Sequence, residues 1–113
     1  PLLENTQAQA HALREALRGD EAAPVFETFV CMRYWHPLAA ETVAQVKAWN
    51  PDRIVLLPLY PQFSTTTTRS ALQDWTAQAE KAGLEAPTAM VCCYPGLAGY
   101  IEASADHIKS AYI

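Results

Sequence analysis

"AAETVAQVKAWNPDRIVLL", residues 39–57, reads as a helix, a stop and a strand in one short run. Ala39, Val43 and Val46 recur at the four-then-three spacing that places side chains on one helical face. Asn50 and Pro51 then stop the helix, since Asn tolerates the left-handed conformation and Pro cannot continue the hydrogen-bond ladder. "RIVLL" from Arg53 to Leu57 is a short continuous apolar run, the pattern of a strand. A helix that feeds directly into such a strand is half of an alternating α/β unit.

The same alternation extends to both sides. Residues 2–18 carry Leu3, Thr6, Ala10, Leu13 and Leu17 on one helical face, with Gly19 as a stop. "PVFETFVCM" from Pro24 is rich in β-branched and aromatic residues and predicts a strand. A helix is predicted over 70–82 with Leu72, Trp75 and Ala79 inward, and Ser70 with Gln73 fits a capping box. "TAMVCC" predicts a third strand. "LAGYIEASADHIKSAYI" predicts a last helix with Leu97, Ile101, Ala105, Ile108 and Tyr112 as its stripe. The order α-β-α-β-α-β-α predicts a parallel sheet with helices on both faces and strands at 25–32, 53–58 and 88–93.

Composition sets outer limits. The chain has 113 residues, half of them apolar and 18% charged, which suits one globular domain over residues 1–113. A net charge of −4 argues against a nucleic-acid binder. No apolar run approaches the roughly 20 residues of a membrane span. "PLLENTQAQA" lacks the basic and apolar regions of a signal peptide. The start at Pro1 and the close in "SAYI" read as a piece of a longer polypeptide. Cys31, Cys92 and Cys93 match no zinc or thioredoxin spacing and read as reduced thiols in buried strands, which fits a cytosolic compartment.

Function enters through the segments that leave the predicted strands: "RYWHP" after the first, "PLYPQFSTTTT" after the second and "YPG" after the third. Ligands of open α/β sheets bind at the carboxyl ends of parallel strands. Arg33, Tyr34, His36, Tyr60, Gln62, Phe63, Ser64 and Tyr94 are therefore expected at one edge. Aromatic rings with a few polar groups suit a flat, aromatic, anionic ligand. No G-x-G-x-x-G or P-loop motif is present. A plainer role stands beside each of these. Arg33 and Tyr34 could only cap a strand end, Tyr60 and Phe63 could be core, and Trp35 reads as packing. His36 before Pro37 reads as structural, bonded to loop backbone. "STTTT" either caps the helix after it or seats an anion on its N-terminus.

"MRYWHP" and, further along, "LLPLYPQFSTTTT", with "PLLENTQAQAHALREAL" ahead of both, resemble the ferrochelatase family, which inserts ferrous iron into protoporphyrin IX to make haem. The resemblance implies a chelatase-type, Rossmann-like (flavodoxin-like) half-domain, here incomplete, that supplies one side of a porphyrin cleft. It implies substrate-binding roles for Arg33, Tyr34, Tyr60, Gln62, Phe63, Ser64 and Thr65. The family's proton-accepting, metal-binding His lies in a "SAHGLP"-like motif expected just after Ile113, and its Glu comes later. No catalytic or metal-binding residue is therefore assigned within this chain, and the chain alone is expected to be inactive. Iron enters as substrate, and no cofactor is expected in this segment. Thr65 stands where animal relatives carry a Cys ligand of an iron–sulfur cluster, which argues against a cluster held here. The family often has Gly where this chain has Arg69. The resemblance also implies a cytoplasmic enzyme in peripheral contact with the inner membrane, with protoporphyrin and ferrous iron as its partners and no nucleic acid. Two alternatives stay open: a sister chelatase for cobalt or nickel, and a non-enzymatic flavodoxin-like module that binds a ligand.

Overall fold

A computed structural model describes residues 1–112. The element order is α1 (Leu2–Leu17), α2 (Ala39–Trp49), β1 (Ile54–Leu56), a π-helical turn (Thr65–Arg69), α3 (Ser70–Ala82), β2 (Thr88–Met90) and α4 (Ala98–Tyr112). The chain divides into two compact units. One comprises Pro1–Pro51 and Asp74–Leu84, the other Asp52–Gln73 and Glu85 onward.

The first unit holds most of the core. Ala39, Val43, Val46 and Trp75 are buried, Val43 to 1% exposure. The α2 stripe is the one its spacing predicts, with Thr42 added. A threonine is tolerated there because its Oγ1 donates to the Val30 carbonyl at 2.8 Å, so its own buried hydroxyl is paired. Asn50 ends α2 in the left-handed conformation at φ 59°, and Gly83 does the same beyond α3 at φ 73°. Lys47 on α2 donates to the Ala82 carbonyl near the end of α3, meeting the negative end of that helix. The Phe29 ring meets Trp49 edge-on with centroids 6.2 Å apart.

The strand predicted over 25–32 does not form. Its contacts run through side chains: Thr28 Oγ1 donates to the Ala10 carbonyl on α1 at 2.9 Å, and Arg14 of α1 donates to Glu27 at 3.1 Å. Its one ladder-like contact is an isolated parallel bridge, Met32 with Leu38. β-propensity measures how well a side chain fits a pleated, half-buried surface. Here Val25 and Phe26 are exposed, and the segment has no neighbouring strand among the described residues. The α1 stripe forms a helix as predicted but is only half covered, with no residue fully buried.

The second unit carries a two-stranded parallel sheet, shorter than predicted, in the register Ile54–Thr88, Val55–Ala89 and Leu56–Met90. Bonds from Ile54 N to the Pro87 carbonyl and from Val91 N to the Leu56 carbonyl extend it at both ends. A parallel pair needs a long crossover, and the chain containing α3 is that connection. The architecture is thus α/β with a parallel sheet, built on two paired strands rather than three. The α4 stripe is exposed at Ile101, Ile108 and Tyr112 instead of facing inward.

The capping box expected at Ser70 is also displaced. Ser64 is the cap: its Oγ accepts from Thr66 N at 3.2 Å, and Thr65–Arg69 then turn as a π-helix that runs into α3. The Arg69 N to Ser64 carbonyl bond, 3.1 Å, spans five residues and defines that wider turn. Arg69 adopts no positive φ, so a side chain is accommodated where the family often has Gly.

Candidate functional site

In the first unit "RYWHP" is a tight loop drawn shut at its base. Met32 N donates to the Pro37 carbonyl at 2.7 Å, and the His36–Pro37 peptide is cis. The closure leaves Tyr34, Trp35 and His36 exposed, so Trp35 is a surface ring and not the packing residue its chemistry predicted. Arg33 sits half-buried with its guanidinium 5.0 Å from the Tyr34 ring centroid and 3.7 Å from Asp74 of α3. The ring face and the carboxylate fix the cation from two directions.

His36 has as its partner a carboxylate and not the expected loop backbone. Its Nδ1 lies 2.7 Å from Glu41 Oε2, and the same oxygen accepts from Leu38 N at 2.7 Å. Glu41 is the acid in the first turn of α2, where the unpaired amides and the helix dipole favour negative charge. The Leu38 amide chiefly, then His36, holds the Glu41 carboxyl below its usual 4.5. A depressed folded pKa contributes stability above the unfolded value and loses it as pH falls through the folded one. Glu41→Gln is therefore expected to destabilise α2 near neutral pH, and the gap from the unmodified chain should close below about pH 4. Chemical denaturation of both chains across pH 3–7 checks this; a gap unchanged at pH 3 would exclude the carboxylate as its source.

In the second unit the segments leaving β1 and β2 are tied to each other. Tyr94 N donates to the Pro61 carbonyl and Tyr94 Oη to the Pro58 carbonyl, both at 2.8 Å. Burial first, and Tyr100 second, push the Tyr94 phenol up, which keeps the donating proton in place. The Tyr94 and Tyr100 rings meet edge-on at 6.4 Å. Between these anchors Tyr60, Gln62 and Phe63 are exposed. Ser64 is half-buried and bonded to Thr66 at 2.9 Å, while Thr65 is exposed. Thr68 is fully buried, and its hydroxyl has no partner among the described residues.

The shared-edge expectation therefore holds for the segments after β1 and β2, which are parallel neighbours. It does not extend to Arg33 and Tyr34, because no strand precedes them. Two depressions of about 220 and 550 Å³ lie beside α1, lined by residues such as His11, Arg14 and Glu27, and neither includes a predicted site residue. Sequence reasoning missed Asp74 and Glu41. Glu41 carried a local signal, an acid in the first turn of a well-marked helix; the pairing of Asp74 with Arg33 is long-range and left none. The expectation of buried cysteines is also overturned, since Cys31, Cys92 and Cys93 are all exposed. The runs that held them formed no strand at 31 and a strand ending at Met90, before 92 and 93.

A protein-family model described as Ferrochelatase matches residues 1–113. A ferrochelatase of Phenylobacterium zucineum is 50% identical over 112 residues, covering 99% of this chain and 32% of the relative. One from Caulobacter vibrioides is 47% identical, with 99% and 31% covered. One from a Wolbachia of Drosophila simulans is 44% identical, with 99% and 35% covered. The chain spans about a third of the length of these curated relatives.

Proposed function

The chain belongs to the ferrochelatase family, and from that premise we propose that it is part of an enzyme inserting ferrous iron into protoporphyrin IX to make haem. The match of all 113 residues carries the proposal. In support, both motif strings present exposed rings, Tyr34 in one and Tyr60 and Phe63 in the other. A porphyrin is a flat aromatic disc edged with carboxylates. Each unit by itself carries residues suited to such a disc: Tyr34 as a ring and Arg33 as a cation in the first, Tyr60 and Phe63 as rings and Gln62, Ser64 and Thr65 as polar groups in the second. Arg33 is set for a propionate by Asp74 and Tyr34, and a substrate carboxylate would compete with Asp74 for it.

Iron is substrate in this scheme, and the segment supplies no cofactor ligand; Thr65 has no side chain suited to an iron–sulfur cluster. Deprotonation of the pyrroles and capture of iron fall to the family's His and Glu, outside these residues. The complete enzyme works in the cytoplasm in peripheral contact with the inner membrane. Among the described residues no helix is long and apolar enough to cross a membrane.

In the complete enzyme, Arg33→Ala is expected to lower kcat/KM roughly 10- to 100-fold, the scale of one charge-assisted hydrogen bond at about 1.5–3 kcal/mol. The melting temperature should change little, because partly exposed ion pairs such as Arg33–Asp74 contribute at most about 1 kcal/mol. Steady-state insertion kinetics beside a thermal melt check both halves. Unchanged kcat/KM with a lowered melting temperature would assign Arg33 to the scaffold.

A further inference from the structure

Cys92 and Cys93 lie just beyond β2, both exposed, with their sulfurs 3.1 Å apart. Adjacent residues of an extended strand point to opposite faces. The strand has ended at Met90, and the backbone here is free of that alternation, so two consecutive thiols come to lie side by side. We propose that Cys92 and Cys93 form a chelating dithiol site for trivalent arsenicals of the aryl or alkyl arsenoxide class.

The short separation decides the choice of ligand. A linear two-coordinate cation holds its two sulfurs on opposite sides, far apart. A pyramidal trivalent centre has narrow bond angles and needs its sulfurs close together. The Cys92 thiol is also held protonated. The hydrogen bond from Cys93 is the largest influence raising Cys92 above its usual 9.0, with burial next. An arsenoxide consumes the two thiols directly. Two S–H bonds and the As=O bond break, two As–S bonds form, and the oxygen leaves as water with both protons. Arsenic stays trivalent, so no oxidant or reductant is involved. Cys31, the remaining thiol, is a single group and can form only one such bond.

The test is intact-mass spectrometry of the 113-residue chain with phenylarsine oxide in excess monothiol. A 1:1 adduct is expected that a small dithiol removes. Cys92→Ser and Cys93→Ser should each weaken capture at least roughly 100-fold, the loss of the intramolecular second bond. Cys31→Ser should bind as the unmodified chain does. Cys92 and Cys93 are surface positions and Ser is close to Cys in size at all three, so far-UV circular dichroism should show the folds unchanged. Equal capture by either single variant at positions 92 or 93, or no adduct from the unmodified chain, would overturn the assignment. The outcome is independent of whether the porphyrin reading holds.

Discussion

Purified as 113 residues, the chain is expected to insert neither zinc nor iron into porphyrin above the uncatalysed rate. Metallation strips two protons from pyrrole nitrogens while the metal ion sheds water. A positioned base serves the first step, and ligands near the ring face serve the second. Among the described residues no three His, Cys, Asp or Glu side chains gather in a way that could hold a metal ion. His36 is committed to Glu41, and that carboxylate is itself held by the Leu38 amide. The exposed rings can stack against a porphyrin, but stacking does not move a proton. The measurement is a fluorescence insertion assay run beside a complete ferrochelatase. Turnover abolished by a substitution inside this chain would show that the chemistry needs less of the fold than this.

Trp75→Ala is expected to cost about 3–5 kcal/mol, the range for removing a large buried aromatic. Trp75 is 6% exposed and is by far the largest side chain in a first-unit core whose other buried members are Ala39, Thr42, Val43 and Val46. Domains of this size have only about 5–15 kcal/mol to lose, so the variant should sit near its unfolding midpoint or beyond it. Trp75→Phe keeps an aromatic ring and should fall well short of that loss. Urea unfolding monitored by far-UV circular dichroism reads both. If the Ala variant unfolds at the same urea concentration as the unmodified chain, Trp75 is not what holds the first unit together.

The helices were legible in the sequence because their signals are local. The bounds of α2 and α3 come from apolar spacing and from stop residues within a few positions of them. Strands were legible only where a partner exists. Residues 53–58 and 88–93 found each other, while 25–32 has equal β-propensity and no ladder, because propensity does not say what lies beside a strand. The same holds within the site. The cap moved from Ser70 to Ser64 because both hydroxyls fit the local pattern, and only the wider turn between them decides which amide is unpaired. Exposure of the cysteines, of Trp35 and of the α4 stripe could not be read from residue type. Residue type reports preference for burial, while exposure depends on what else is present to cover the side chain.

The π-helical turn has a consequence for how this gene can vary. Its residues 65–68 are four identical threonines, so loss of any one codon among them yields the same shortened protein. Such a deletion would let the turn relax to ordinary α-helical bonding, which needs one residue fewer. The Arg69 amide would still meet the Ser64 carbonyl, so Phe63 and Ser64 would keep their direction relative to the start of α3, because a π turn closes over five residues the arc that an α turn closes over four. A run of four threonines thus sits where loss of one residue preserves both the helix and the aim of the loop ahead of it. Variants one threonine shorter should therefore fold and keep whatever Tyr60 to Ser64 bind.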